Sequence, residues 1–369
     1  MQQKVKEFDY FIKVLRSALN GEKAPDKPVE VEWKSVFGLA INHSFLVIVY
    51  DALKDKLNQN ADAEFLKYLE KKYNIECARH ISQIKDFKKI TDILTENKIP
   101  FLPLKGFLIK ELYPKAEYRQ MADMDIYVGK EGSALAIEAL KSIGYTEKTD
   151  PDAVDVHDVM IKLPFANVEL HREVEQGSEF TFSDCESRAD NPYWYVMREE
   201  DFFMHMLRHA KKHYVNGGCG VRAILDLHLY RKKHLEFFNS KDFHIKFENY
   251  ELYGFYEMLV DIADKWFGSS EDITELSEIE IYTITGGVYG TLENRVSKKI
   301  EKQSKFSYVM RALFPSVKTI KRKYKWVRKC IILLPLGYLC RIMSAIFNGR
   351  MKRNAKAVIK SNKNKDAEF

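Results

Sequence analysis

The chain has 369 residues, of which 46% are hydrophobic and 30% charged, so it has enough apolar surface to form one large core or several smaller ones. This composition excludes a disordered protein, and the five scattered cysteines and charged N-terminus indicate a cytoplasmic protein with reduced thiols and no export signal. The net charge of +6 is uneven, because residues 316 to 369 hold 15 Lys and Arg against two acidic residues.

The first hundred residues carry a helical pattern. Within residues 3 to 19, large apolar side chains recur every three or four positions, at Phe8, Phe11, Ile12, Leu15 and Leu19. The same spacing continues through residues 36 to 57 and 64 to 98. We therefore expect a helical lobe over residues 1 to 96.

The pattern changes at IPFLPLKG, where a short apolar run bounded by Pro100 and Gly106 predicts a buried strand that opens into a turn. A short helix over residues 107 to 113, the strand-like run DMDIYV and a helix over residues 133 to 143 follow. The runs VHDVMIKL and ANVELHR predict two more strands. The predicted fold class is thus α+β, with a small mixed-sheet core over residues 97 to 175 flanked by helical regions.

Helical spacing returns at about Glu199 and continues, with interruptions, to about residue 315, so residues 176 to 315 are expected to form a C-terminal helical region. The GGVYG run at residues 286 to 290 lacks the preceding strand and the Lys-Ser/Thr of a P-loop. We therefore interpret it as a turn that ends a helix.

Three acidic residues in the core are the candidate catalytic groups. Asp123 and Asp125 flank one residue of a strand-like run, so both side chains point to the same face. Glu169 lies between the apolar Val168 and Leu170 and would join that face if its strand paired with DMDIYV. Three such carboxylates repel one another unless a cation lies among them, which is typical of a Mg²⁺ site; Asp-x-Asp taken alone favours the alternative, an exposed acidic strand face.

The LPLKG segment precedes these acids and predicts a turn from a strand into a helix. Backbone N–H groups at such a turn are free to receive phosphate oxygens, and Lys105 would add a positive charge there. The alternative for Lys105 is an ordinary solvated surface lysine.

Several segments together resemble the uncharacterised nucleotidyltransferase family that is related to the DNA polymerase beta superfamily. The resemblance extends over most of the chain and rests on LPLKG, ELYP at residues 111 to 114, Arg119, DMDIYV, VELH, LRHAKKH, ILDL and the closing LFPS and LLP segments. It implies transfer of a nucleoside monophosphate from an NTP, with ATP as the expected co-substrate, and release of pyrophosphate.

The resemblance also implies roles for individual residues. Asp123 and Asp125 would bind catalytic Mg²⁺, and Glu169 would be the third carboxylate and the base that takes the acceptor's proton. Lys105 and Gly106 would form the phosphate-binding turn.

Three further residues complete the implied site. Arg119 would hold the triphosphate, His209 would contact the nucleotide, and His171 would support Glu169 from two residues away. Where the wider superfamily has Gly-Ser, this chain has Gly106 followed by Phe107, so a catalytically silent nucleotide-binding or regulatory module is the alternative.

His205, His209 and His213 recur every four residues on one predicted helical face. No acidic residue lies at ligand spacing from them, so packing and hydrogen bonding to Asp226 are favoured over a transition-metal site.

The basic amphipathic tail, residues 316 to 369, has three open interpretations. Its apolar stretch from Cys330 to Cys340 is too short to span a membrane, and packing of residues 317 to 347 on the acidic body is favoured. Peripheral contact with an anionic membrane surface is the alternative, and a nucleic-acid partner is the weakest of the three. The acceptor, whether small molecule, sugar or protein, and the oligomeric state leave no trace in the sequence.

Overall fold

The computed structural model describes residues 2–148, 157–175, 177–240, 252–291 and 330–347, with single residues between 243 and 327. They belong to two compact units. Unit 1 comprises Met1–Asp150, Val154–Ala210 and Val221–Ser277, and unit 2 includes the described residues of Lys211–Gly220 and Glu278–Phe369.

Unit 1 begins with four helices, as the apolar spacing predicts. They are α1 (Gln2–Asn20), α2 (Trp33–Asn42), α3 (Leu46–Asn60) and α4 (Ala63–Glu96). The apolar face of α1 is buried at Phe8, Phe11, Ile12 and Leu15. Helix α4 starts at Asp62, whose carboxylate accepts a hydrogen bond from the backbone N–H of Phe65 and caps the first turn.

The core of unit 1 is a five-stranded mixed sheet, which confirms the predicted α+β class. Its strands in chain order are β1 (Leu102–Pro103), β2 (Met124–Tyr127), β3 (Thr146–Lys148), β4 (His157–Lys162) and β5 (Ala166–His171). Their order in the sheet is β1-β2-β5-β4-β3, in which β2 and β5 are parallel and the other pairs antiparallel. Strand β5 therefore lies at the centre of the sheet although it is last of the five in sequence.

Two helices belong to this core and differ from the predicted bounds. Helix α5 covers Gly106–Lys110 and is shorter than the predicted 107 to 113, and α6 covers Gly129–Ser142 and starts four residues before the predicted Ser133. One face of the sheet packs with α4 and α6 around a buried apolar cluster that includes Ile90, Ile126, Leu140, Met160, Val168 and Leu170.

A two-stranded hairpin that the sequence patterns did not predict follows the sheet. Strands β6 (Cys185–Arg188) and β7 (Asn191–Met197) pair antiparallel, and Phe101 exchanges backbone hydrogen bonds with Tyr193 and Tyr195 of β7. Trp194 packs on Phe87 and Phe101, so this hairpin covers the region next to β1.

Helices α7 (Glu199–Val215), α8 (Gly220–Lys233), α9 (Leu235–Asn239) and α10 (Tyr253–Ala263) follow the hairpin, in agreement with the predicted helical pattern. Unit 2 contains α11 (Glu278–Gly286) and α12 (Leu334–Phe347). Because α11 ends at Gly286 and a turn follows, the interpretation of GGVYG as a helix-ending turn is confirmed.

The glycines of this turn pack on other glycines of unit 2. A Cβ atom on Gly286 would lie 2.6 Å from the carbonyl oxygen of Gly217 and 2.7 Å from Cα of Gly218. A Cβ on Gly290 would lie 2.9 Å from the carbonyl oxygen of Asn216. The two backbones thus approach so closely that no side chain fits between them.

In the described part of the tail, Ile320 and Val327 are buried, and both lie close to Gly337 of α12. Ile332 is 82% exposed. Across the described residues, none of the helices combines the length and the apolar character that crossing a membrane requires. The basic end predicted after Asn348 falls outside the described residues.

Candidate active site

Two of the predicted carboxylates lie side by side on the sheet. The parallel register of β2 and β5 places Asp125 opposite Glu169. Their neighbours Met124 and Val168 point into the buried apolar cluster, so the two acids lie on the other face. The fold thus brings together acidic residues from distant parts of the sequence.

His157 extends this polar face and was absent from the sequence-based site. In the antiparallel pair of β4 and β5 it lies directly opposite His171. Nε2 of His157 is 3.5 Å from Oε2 of Glu169, and Nε2 of His171 is 3.7 Å from the same oxygen. One donor atom from each of His157, Glu169 and His171 lies within 4.8 Å of the other two, so these residues could hold a metal ion. Among the described residues, Asp123, Asp125 and Glu169 do not form such a group.

The carboxylate of Asp125 is buried beside a lysine and a histidine. Its Oδ1 lies 2.8 Å from Nε2 of His171, and its Oδ2 lies 4.0 Å from Nζ of Lys105. Burial acts to raise the pKa of Asp125, but the charge of Lys105 and the hydrogen bond from His171 outweigh it and hold the pKa below its usual range. His209 on α7 acts in the same direction. Asp125 is therefore ionised at neutral pH.

Asp123, immediately before β2, has the opposite environment. Burial raises the pKa of Asp123, and the negative charge of Asp125 raises it further, while Lys105 and Arg222 oppose the rise. The two carboxylates thus repel each other at short range and would be stabilised by an added cation.

The predicted phosphate turn is a tight turn at the start of α5. Lys105 has a positive φ of 44°, which is uncommon for a residue with a side chain. A Cβ on Gly106 would lie 2.4 Å from Sδ of Met121 and 3.3 Å from Nη1 of Arg119, so the position favours glycine. The Lys105 side chain reaches towards Asp125 and is not a solvated surface lysine, since only 13% of it is exposed.

Arg119 is buried and paired with Asp226 of α8. Its Nε and Nη2 donate to the two carboxylate oxygens at 2.9 and 2.8 Å, and its Nη1 donates to the carbonyl oxygen of Gly106 at 3.5 Å. The hydroxyl of Tyr113 also donates to Asp226, at 2.8 Å. The structure therefore places the guanidinium, which the resemblance assigns to the triphosphate, in a network that fixes the Gly106 turn.

The histidines of α7 have separate environments. His205 is buried, and its Nδ1 lies 3.2 Å from Oε1 of Glu175. Burial lowers the pKa of His205, although Glu175 opposes the change. The carboxylate of Asp226, which the sequence patterns paired with these histidines, receives hydrogen bonds from Arg119 and Tyr113.

His157 could have been found from the sequence by one further step. The runs VHDVMIKL and ANVELHR are separated by a few residues, as in a hairpin. Pairing Lys162 with Ala166 and counting backwards sets His157 opposite His171. The apolar pattern of either strand alone does not place His157 near the site, because its position opposite His171 follows only from the pairing of the two strands.

Comparisons with known proteins give the family of the chain. The sequence profile of a family described as "Uncharacterised nucleotidyltransferase" matches residues 29–268, which include every residue of the polar face. No curated protein matches significantly. Among solved structures, the solution structure of the antibiotic-resistance factor ANT(2'')-Ia matches with a TM-score of 0.35 and 11% identity over 50% of this chain and 96% of that one. That likeness is too weak to carry an argument. On the profile match, which covers well over half of its length, the chain belongs to the uncharacterised nucleotidyltransferase family.

Proposed function

We propose that this chain is a Mg²⁺-dependent nucleotidyltransferase that moves a nucleoside monophosphate from an NTP, ATP in the first place, to an acceptor and releases pyrophosphate. The observation that carries the proposal is the register that sets Asp125 beside Glu169 on the polar face, in a chain of this family. The acceptor would be a small molecule, a sugar or a protein.

Asp123 and Asp125 would hold Mg²⁺, and Glu169, across the strand pair, would join them after a side-chain rotation, since the three carboxylates do not already converge. Carboxylate oxygens are the ligands that Mg²⁺ prefers, and only 14% of the Asp125 side chain is exposed. The charge of Asp125 raises the pKa of Asp123, so a divalent cation would relieve a repulsion that the fold imposes. When bound, the ion would neutralise charge on the phosphates and orient them.

The remaining residues would bind the substrates and move a proton. Lys105 holds a positive charge next to Asp125 and would bind phosphate oxygens that approach the carboxylates. Glu169 would accept the proton of the acceptor hydroxyl, with His157 and His171 beside its carboxylate. Arg119 would act through the Gly106 turn, because its guanidinium is paired with Asp226.

Product analysis tests this proposal. The full chain is incubated with Mg²⁺, each of the four NTPs in turn and a mixed acceptor pool, and the products are identified by mass spectrometry while pyrophosphate release is followed. The wild type is expected to form a nucleotidylated product, and Asp125→Asn to lower its rate by about a hundredfold or more, since the aspartate is needed to hold the metal and phosphates.

Asp55→Asn is the matched control, because Asp55 is an exposed aspartate on α3 outside the polar face. It is expected to retain the wild-type rate. If the wild type forms no more product than Asp125→Asn because neither forms any, the result supports the alternative, a nucleotide-binding module without turnover.

A further inference from the structure

We infer that His157, Glu169 and His171 form a binding site for a first-row transition-metal ion, with Zn²⁺ as the best-matched ion, which shares Glu169 with the proposed Mg²⁺ site but uses two imidazoles in place of the aspartates. Two imidazole nitrogens and one carboxylate oxygen meet there on the polar face. This ligand set is common in zinc sites with three protein ligands, which leave a further position open to water or substrate.

The distances between the donor atoms suit such an ion. A tetrahedral zinc ion with bonds of about 2.0 to 2.1 Å holds neighbouring ligand atoms about 3.4 Å apart. Oε2 of Glu169 lies 3.5 Å from Nε2 of His157 and 3.7 Å from Nε2 of His171. Small side-chain rotations would therefore complete the site without a backbone shift.

The backbone under these ligands is part of a regular sheet. His157 and His171 are directly opposite across the β4–β5 pair, and Glu169 is two residues from His171 on the same face. The two imidazole rings lie 5.1 Å apart between centroids. Ligands on paired strands at the centre of a sheet are held more exactly than ligands on loops.

The type of donor atom selects the ion. Imidazole nitrogen favours Zn²⁺, Co²⁺ and other late first-row ions, whereas Mg²⁺ and Ca²⁺ favour all-oxygen sites. Two neutral histidines and one carboxylate leave a bound divalent ion with one excess positive charge. Binding of the ion requires Nε2 of His171 to release the hydrogen bond that it donates to Asp125 at 2.8 Å, and the ionised Asp125 then lies close enough to offset the excess charge.

The inference does not need turnover, so its test is independent of the proposed function. The full chain, freed of metal by a chelator, is titrated with Zn²⁺ alone by isothermal titration calorimetry and with Co²⁺ alone by visible absorption. We expect one Zn²⁺ per chain and the strong visible bands of Co²⁺ in a site of low coordination number.

His157→Gln is expected to weaken Zn²⁺ binding at least about tenfold and to remove the Co²⁺ bands, because it deletes a ligand. Only part of His157 is buried, and circular dichroism checks that the variant folds. His234→Gln is the matched control, since His234 pairs with a single carboxylate, that of Glu199, and it should bind as the wild type does.

Asp123→Asn separates the two metal sites. It removes an oxygen ligand of the proposed Mg²⁺ site but none of the trio, so Zn²⁺ affinity should stay within about threefold of the wild type. The inference is overturned if the wild type binds no Zn²⁺ or Co²⁺, if His157→Gln binds as tightly as the wild type, or if Asp123→Asn abolishes binding.

Discussion

Arg119 and Asp226 form a two-pronged ion pair inside unit 1, with Nε to Oδ1 at 2.9 Å and Nη2 to Oδ2 at 2.8 Å. Both side chains are less than a tenth exposed. The pair joins α8 to the segment that leads into β2, and Arg119 also contacts the carbonyl oxygen of Gly106. This ion pair thus helps to position the Gly106 turn beside the carboxylates.

Asp226→Asn is expected to lower the free energy of unfolding by about 3 to 5 kcal/mol, because it leaves the buried Arg119 charge without its partner. Urea denaturation followed by circular dichroism measures the change. The double variant Arg119→Met/Asp226→Leu, which removes both charges, should recover most of this loss. An equal loss of unfolding free energy in both variants would show that side-chain packing, and not the unpaired charge, determines the stability at this site.

The buried side chain of Lys110 should make the free energy of unfolding depend on pH. Burial lowers the pKa of Lys110 to about 8, with the charge of Arg119 acting in the same direction, while Nζ lies 2.9 Å from Nδ1 of His80. Between the folded pKa and 10.5, the ordinary pKa of a lysine, the unfolded chain binds more protons than the folded chain, so this group's contribution to stability rises with pH in that window.

Relative to Lys110→Met, the wild type should therefore gain about 2 kcal/mol of unfolding free energy between pH 8 and pH 10. Urea denaturation of both proteins over this range gives the difference. A difference between the two proteins that does not change from pH 8 to pH 10 would contradict the assignment to Lys110.

Gly286→Ala is expected to destabilise unit 2 by about 1 to 3 kcal/mol, since its Cβ would meet the backbone of Gly217 and Gly218 within 2.7 Å. Gly254→Ala is the control. Gly254 lies in α10 with open space around it, so alanine should stabilise the chain by up to about 1 kcal/mol. Thermal denaturation of both variants compares the two effects.

Lys105→Met tests the proposed phosphate contact. It keeps the side-chain length but removes the charge next to Asp125, and it should weaken NTP binding about ten- to a hundredfold, the range for a hydrogen bond to a charged group. Equilibrium dialysis with a labelled NTP measures the affinity. Lys130→Met, an exposed lysine paired with Glu173, should leave the affinity unchanged.

Zinc is expected to inhibit nucleotide transfer if both proposals hold, because Glu169 cannot bind Zn²⁺ and accept a proton at the same time. Adding Zn²⁺ to the Mg²⁺-supported reaction should slow it. His157→Gln should raise the inhibitory Zn²⁺ concentration at least about tenfold. Inhibition at the same concentration in both proteins would assign it to displacement of Mg²⁺ at the aspartates.

The sequence patterns predicted the helices and strands whose structure follows from the apolar spacing within the element itself. Helices α1 and α4 have a long apolar stripe, and the alternation in DMDIYV defines β2. Strand β3 was missed because it consists of three exposed residues, Thr146 to Lys148, and carries no apolar alternation. It forms by antiparallel backbone hydrogen bonding to β4 and not from a pattern of its own.

Some residues of the candidate site could likewise be predicted from their own strand, whereas others could not. Asp125 and Glu169 could be predicted because each lies between apolar residues of its own strand. The proximity of His157 to Glu169 depends on the register of a strand pair, and the pairing of Arg119 with Asp226 depends on the packing of α8. The first relationship needs the two strands to be paired as a hairpin, and the second joins residues that lie far apart in the chain and leaves no local sequence pattern.

The central position of β5 has a consequence for synthesis on the ribosome. A nascent chain that ends at Lys162 already holds Asp125 and His157, but β2 and β4 are not neighbours in the sheet and meet only through β5. Glu169 and His171 arrive with that last strand. Neither proposed metal site could form during translation until about residue 171 has left the exit tunnel, so metal would be captured only after the central strand of the sheet has been made.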